Sequence, residues 1–404
     1  MDKVYQFSGV ISQVLDTRSQ PSIGTSSIFA SAFIMMLARM GSLNALEQDK
    51  GNRFWKRWLG RRLPSADTMG RVFSQIILAS IRSLIHHVYS RLKRNKAIKK
   101  TMGFQPLLID GHEHTSSYLR CCPGCLRRRI LFRGETRIQY YHRNVIAMLS
   151  DKDFPILLDV EEQKIGENEV ACSLRLCKRI LRDYPRAFSV VVADGLYLEA
   201  PFFNLLLAHG KHIIAVLKDE RRDLMGDARS LFNYEEPIIQ ITGNTTRKIW
   251  DIEGFTSWQS LKREIRVVRC LETRTHRRQL TGKIEEETSD WIWAVTLSKQ
   301  EASAETIIRL GRDRWLIENR AINEMVTYWH ADHLYHHHPT AIVAFWLTLL
   351  LVLNLFRAFL CLNIKQELRS KHTQLYFARL ISSSLYEERH QRSPPRTSVS
   401  CSQT

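Results

Sequence analysis

Gln105-Pro-Leu-Leu-Ile-Asp110, followed at once by Gly111-His112-Glu113-His114, is the stretch on which the rest of the sequence turns. Apolar or proline positions running into an acid and a glycine read as a buried strand over 105–110, presenting a carboxylate at its carboxyl end before a polar loop. In α/β folds, ligands and chemistry collect at such ends. An Asp-Gly pair also starts turns. The functional reading of Asp110 therefore depends on other acids standing in comparable settings.

A second acid does. Residues 188–194 (FSVVVAD) form another continuous apolar strand that ends in Asp194 and a glycine. Between the two lie strands over 139–150 and 154–160, separated by the turn Asp151-Lys-Asp153, and a helix over 169–184 with Val170, Leu174, Cys177 and Leu181 on one face. A helix over 201–209 and a strand over 212–218 complete a β-β-β-α-β-α-β series. This order predicts an α/β fold, a mixed sheet flanked by helices. Residues 219–289 lose helical periodicity and show short alternating stretches such as 247–252 and 264–270, which read as a β-rich insertion. Core strand character returns at 291–297, and Ala302 opens a long helix reaching past Trp329.

The third acid is on that helix. Ile308, Gly311, Trp315, Glu318, Ile322, Met325 and Trp329 recur at alternating spacings of three and four, which places them on one core-facing seam. Every member except Glu318 is apolar or small. An unpaired charge buried there costs several kcal/mol, so the seam implies a cation. Arg314, one turn earlier, serves in part; a metal shared with Asp110 and Asp194 serves better. Oxygen-only ligands select Mg²⁺ or Mn²⁺ over zinc. Two such ions about 4 Å apart suit phosphodiester transfer, activating the attacking oxygen and stabilising the leaving one.

Composition agrees with a nucleic-acid substrate. The 404 residues suffice for two to three domains. Lys plus Arg number 59 against 41 acids, a formal charge of +18, which favours polyanionic partners without separating DNA from RNA or an anionic membrane. Eight cysteines in a chain too large to need disulfide staples, with no signal segment at its start, predict a cytoplasmic setting. The apolar run 341–362 carries Asn354 and Arg357 and reads as a buried core helix rather than a membrane span. Residues 1–100 read as a helical, DNA-end-binding domain. It contains the basic aromatic segment Arg53-Phe-Trp-Lys-Arg-Trp-Leu-Gly-Arg-Arg62, whose Arg61 and Arg62 suit a phosphate backbone or a solvated face equally. A helix starts at Pro64-Ser65, with Asp67 in its first turn and Arg71, Phe73, Ile76 and Ile77 continuing it. The run 91–100 reads as a basic linker, and the tail 382–404, rich in Ser, Pro and Arg, as disordered.

Cys121-Cys-Pro-Gly-Cys125 admits two readings. Cys121, Cys122 and Cys125 with His142, His112 or His114 suit structural zinc; the alternative is a loop of reduced thiols, since a second Cys-x-x-Cys is missing. The adjoining Arg127-Arg128-Arg129 reads as a loop facing DNA or as a solvated charge run. His112 and Glu113 stand where they would orient a metal-bound water. His333, His336, His337 and His338 have no supporting carboxylate spacing beyond Asp332 and read as the end of the long helix.

With these residues in place, the chain resembles a DDE transposase of bacterial insertion sequences over residues 105–360. It is similar to the group carrying a β-strand insertion between the second Asp and the Glu, and a Tyr-Arg-Glu-Lys signature around the Glu. Arg314-Trp315-Leu316-Ile317-Glu318-Asn319 carries that likeness. The resemblance implies a ribonuclease-H-like core over 101–218 and 291–381, interrupted by the insertion 219–290. It further implies Asp110, Asp194 and Glu318 as catalytic ligands of two Mg²⁺ or Mn²⁺ ions, Arg314 as a phosphate contact, and a homodimer on double-stranded DNA, both element ends and target. The signature's Tyr position falls at Gly311 and its Lys position at Met325. Asn323, His330 or nearby basic residues are the candidates to substitute for them; the alternatives are a distinct branch or a decaying, inactive copy that still binds element ends, and a separate rival is a basic nuclease with the same core but no end specificity. Trp315 reads as core first, and as a platform for a displaced base second.

Overall fold

The computed structural model describes residues 2–60, 63–151, 153–218, 222–277, 282–386. Three buried or half-buried helices dominate the first hundred residues. α1 (Thr25–Leu37) is apolar on all sides and buried from Ile28 to Leu37, as such a helix must be. α2 (Ala66–Gln75) is capped by Ser65, whose hydroxyl accepts from the Thr68 amide at 3.3 Å. It stops at Gln75, so Ile76 and Ile77 do not extend it. Ile76 instead bridges Asp16 in extended conformation before α3 (Leu78–Arg94) begins. Arg91, Lys93 and Arg94 of the expected linker are the last turn of that helix, where cations complement the carbonyl end.

The sheet then runs through the whole molecule. Its first strands are β1 (Pro106–Ser117), β2 (Leu126–Phe132), β3 (Glu135–Leu149) and β4 (Ile156–Glu162). After helix α4 (Glu169–Asp183) come β5 (Val190–Ala193), helix α5 (Ala200–Leu207) and β6 (His212–Val216). The remaining strands are β7 (Ile238–Thr242), β8 (Thr245–Phe255), β9 (Ile265–Arg277) and β10 (Ile284–Val295). Together they form one ten-stranded sheet in the order β2-β3-β1-β5-β6-β10-β9-β8-β7, with β4 pairing β3. β4, β3 and β1 are antiparallel neighbours, whereas β1, β5 and β6 are parallel. Helix-flanked, this five-strand core, β4-β3-β1-β5-β6, has the ribonuclease-H-like arrangement.

Three local expectations change. β1 does not end at Asp110 but continues through the supposed polar loop to Ser117, because β3 is long enough to pair with it over that whole length. The insertion opens with a helix, α6 (Asp223–Tyr234), which buries Leu224, Met225, Ala228 and Phe232. Its strands add to the central sheet rather than forming one of their own: β10 pairs β9 along its length and β6 at its carboxyl end.

Helix α7 (Ala304–Arg312), a single turn at Trp315–Ile317, a π turn at Glu318–Ile322 and helix α8 (Asn323–Trp329) replace the expected continuous helix. The apolar run forms α9 (Pro339–Asn363), the one described helix long and apolar enough to cross a membrane, and 89% of its most apolar window is buried inside the protein. α9 packs on β4 and on α1, α2 and α3; Phe345 stacks on Phe73 with centroids 4.1 Å apart. Its polar residues have work there. Asn354 accepts from the Leu157 amide at 2.9 Å and donates to the Leu157 carbonyl at 2.7 Å, satisfying the open edge of β4. Arg357 donates to the Pro155 carbonyl at 3.2 Å and pairs with Glu324 at 3.1 Å. The last helix, α10 (Gln374–Tyr386), takes in 382–386 of the expected disordered tail; the rest of that tail lies outside the described residues.

Candidate active site

Register alone brings the two aspartates together. Leu108 of β1 pairs with Val192 of β5 in parallel, so Asp110 and Asp194, each two residues further on, finish side by side on strands about 4.8 Å apart. Asp194 caps the short turn Gly195–Tyr197, accepting from the Leu196 amide at 3.1 Å. Asp110 accepts from the Gly111 amide at 2.9 Å. One guanidinium serves both: Arg314 Nη1 lies 3.6 Å from Asp110 Oδ2 and 3.9 Å from Asp194 Oδ2. Burial pushes the Asp110 carboxyl up to about 6, against the pull of Arg314 and the Gly111 amide and with the help of the nearby Glu169 and Asp194 charges.

Glu318 follows Arg314 by one turn. Both residues are in right-handed helical conformation, and side chains four apart on a helix are neighbours. Glu318 opens the π turn, is half-buried, and has no ion-pair partner among the described residues. π turns inside helices recur at functional sites. The break before it also corrects the seam. Ile308, Gly311, Ile322, Met325 and Trp329 are buried as expected, but Trp315 is 41% exposed and Glu318 is not enclosed. Helical phase is lost between Arg312 and Trp315, which swings Trp315 to the surface. There the Arg314 guanidinium lies 4.3 Å over its ring, and Trp291, itself stacked on Trp293, meets it edge-on at 6.4 Å. Arg314 turns toward the aspartates rather than toward Glu318.

A fourth carboxylate belongs to this neighbourhood and was not singled out in the sequence. Glu169, at the start of α4, is buried; it accepts from the Tyr197 hydroxyl at 2.8 Å and lies 3.0 Å from Arg143 Nη2. A Cβ on Gly111 would fall 2.3 Å from its carboxyl group. The signal was there to read: glycine inside a strand marks a close approach, and Gly111 stands directly after Asp110.

Comparison with known proteins decides the family. The family model described as "Transposase DDE domain" matches residues 132–355, more than half of the chain, a span that includes Asp194 and Glu318 and begins after Asp110. The chain belongs to the DDE transposases. No curated protein matches it. Among solved structures it is similar to the cryo-EM structure of the piggyBac transposase synaptic complex with hairpin DNA, at 11% identity and a TM-score of 0.44, covering 95% of this chain and 79% of that one.

DDE transposases work with divalent metal ions, and the residues of this transposase fit one. Asp110 and Asp194 are oxygen donors that crowd around a single cation; the carboxylate of Glu318 does not join them within ligand distance, the Cys122, Cys125 and His142 group being the one such cluster among the described residues. Elsewhere in the transposase, Arg127, Arg128 and Arg129 lie in strand β2 rather than in a loop, because 126–132 pairs with β3. Arg128 is engaged, forking onto Glu113 at 2.8 and 2.6 Å, which removes Glu113 from any role beside Asp110; Arg127 and Arg129 are exposed. His112 pairs with Asp332 at 2.9 Å. Arg61 and Arg62 lie outside the described residues.

The cysteine cluster is drawn together without Cys121. Cys122, Cys125 and His142 are buried with their ligating atoms within 4.8 Å of one another, while Cys121 is exposed. His142 meets Glu162 at 2.8 Å, and His114 meets the other Glu162 oxygen at 3.4 Å. The His-rich segment packs near this cluster. A Cβ on Gly124 would lie 2.9 Å from Pro339, and burial, then the charges of Arg120, His142 and His336, pull the His337 imidazole below its ordinary range.

Proposed function

We propose that this transposase binds the terminal inverted repeats of its element as a homodimer on paired double-stranded DNA ends, and cuts and joins strands with Asp110, Asp194 and Glu318. The observation that carries this reading is the sharing of Arg314 by Asp110 and Asp194 just past the parallel-paired stretch of β1 and β5, with Glu318 one turn after Arg314. Asp110, Asp194 and Glu318 would hold two Mg²⁺ or Mn²⁺ ions, which lower the cost of charge on the attacking and leaving oxygens of a phosphodiester.

The chain's own residues account for the rest. Arg314 occupies the cation position between the aspartates; once that charge is supplied otherwise, its guanidinium is free to take a non-bridging phosphate oxygen, for which its planar fork is suited. Trp315, held by Arg314 and Trp291, offers an exposed face to an unstacked base beside the cut. Glu169 and Tyr197 form a buried hydrogen-bonded pair against Gly111, and the Glu169 charge helps raise the Asp110 carboxyl. The exposed Arg127 and Arg129 on β2 extend a basic surface suited to phosphate backbone.

Strand cleavage of a labelled duplex carrying the element's terminal repeats, with Mg²⁺ or Mn²⁺, tests the proposal. The wild type is expected to cut at the repeat boundary, and Glu318→Gln to bind without cutting. A second reading has its own observation. At the signature's Tyr position a Cβ on Gly311 would lie 2.4 Å from the Trp293 indole nitrogen, and at its Lys position Met325 is fully buried. Two phosphate-holding side chains of the family are therefore excluded, which favours an inactive, end-binding copy. Binding by both proteins with cleavage by neither would establish that reading.

A further inference from the structure

Cys122, Cys125 and His142 stand as three corners of a tetrahedron. The two Sγ atoms are 3.7 Å apart, and His142 Nε2 is 3.4 Å from Cys122 Sγ and 3.2 Å from Cys125 Sγ. Four-coordinate zinc, with bonds of roughly 2.3 Å to sulfur and 2.0 Å to nitrogen, needs edges of about 3.8 Å between sulfurs and about 3.5 Å from sulfur to nitrogen. The observed edges agree to a few tenths of an ångström. Thiolates with an imidazole select zinc over the oxygen-seeking cations that suit the aspartates. All three residues are buried.

The surroundings complete the arrangement. His142 Nδ1 donates to Glu162 Oε1 at 2.8 Å, which leaves its other nitrogen, the one facing the sulfurs, as the atom a metal would take. A carboxylate behind a ligating histidine in this way orients the ring and strengthens the bond. The segment between α8 and α9 packs beside the cluster: Pro339, at the start of α9, abuts Gly124 between the two cysteines. In that segment His337 Nδ1 and His338 Nδ1 are both buried without a hydrogen-bond partner, and of the two the His337 imidazole feels the charge of His142; it stands just outside the three ligating atoms and needs to turn in to complete them. His114, the other nearby imidazole, directs its Nε2 to Glu162.

We propose that Cys122, Cys125, His142 and His337 form a closed Cys₂His₂ structural zinc site that ties the loop after β1 to β3 and to the segment joining the Glu318-bearing helix to α9. The site is separate from the carboxylates, and its metal is one they do not favour. Cys121, adjacent in sequence and exposed, takes no part.

Zinc content of the full-length protein, measured by elemental analysis after purification from zinc-replete medium, tests the assignment. One zinc per chain is expected for the wild type and for Cys121→Ser, and none for Cys122→Ser or His142→Ala. Glu162→Gln should weaken zinc binding by on the order of 10- to 100-fold in a competitive chelator titration. Should the cysteine variants fail to fold, cobalt exchanged into the wild type provides the second measurement: tetrahedral visible bands with charge-transfer intensity for two thiolates are expected, altered in His337→Ala. A wild type that neither carries zinc nor takes it up would overturn the site. Equal loss of metal in Cys121→Ser and Cys122→Ser would overturn the ligand set, and a cobalt spectrum unchanged in His337→Ala would overturn the fourth ligand.

Discussion

Asp110 and His142 stand on neighbouring strands of one sheet, about five residues or roughly 16 Å apart along β1, and their surroundings are opposites. Around Asp110, acids outnumber cations: Asp194 and Glu169 add negative charge, Arg314 is divided between two aspartates, and the Asp110 carboxyl is pushed up to about 6. Around His142 the polar atoms are matched. Two thiols face one ring nitrogen, a carboxylate takes the other, and the cluster is buried. A group that must exchange metal, phosphate and water keeps open positions and unmatched charge, whereas a group that only holds strands in place closes on itself. On the readings proposed above, the first is a site that exchanges partners and the second one that keeps them.

Four measurements break or sharpen that contrast. The largest effect is expected for Glu318→Gln, which should reduce cleavage of end-bearing duplex by on the order of 10³-fold, the scale on which active sites depend on placed charge, with DNA binding retained in a mobility-shift assay. Cleavage that survived would remove Glu318 from the site. Next, a strong chelator followed by excess Mg²⁺ should lower the thermal unfolding midpoint of the wild type while leaving Cys122→Ser unmoved, because metal bound by the fold stabilises it. A wild type restored by Mg²⁺ alone would make the two regions alike.

The third concerns acid. Asp110 has a folded-state pKa near 6, above the ordinary value of 3.8, so the folded protein holds its proton more tightly than the unfolded chain. The resulting stability is full below about 4 and is lost as pH rises through about 6. Metal-free wild type should therefore lose up to about 3 kcal/mol between those limits, and Asp110→Asn should not. Denaturant midpoints from pH 4 to 7 check this, and parallel curves for the two proteins would refute it. The smallest effect is steric. Gly311→Ala places a methyl against the Trp293 indole and should cost about 2 kcal/mol by chemical denaturation, leaving the zinc content untouched.

How much was legible follows the same division. The strands carrying Asp110 and Asp194, helix α4 and the burial of α9 could be read because apolar periodicity records which face a segment buries. β1 past Asp110 could not, since its alternating polar residues look like a loop until β3 is known to pair with them. The core reading of Trp315 failed for a related reason: the spacing of three and four assumes one unbroken helix, and the loss of phase after Arg312 exposes a residue the pattern had buried. Glu169 went unnoticed because an acid in the first turn of a helix is ordinary. Its meaning appears only when Gly111 is found against its carboxyl group.

By itself the sequence determined the strands and helix α4 of the core, the presence of three acids on or beside core elements, the basic excess and the cysteine pair, because each is written in residue type and local spacing. Tertiary structure alone decided that Arg314 bridges Asp110 and Asp194, that Cys122 rather than Cys121 faces His142, and that Pro339 of α9 abuts Gly124 beside that cluster. Those pairings join segments up to some two hundred residues apart in sequence, and such contacts are fixed by strand register and helix packing, which no local pattern encodes.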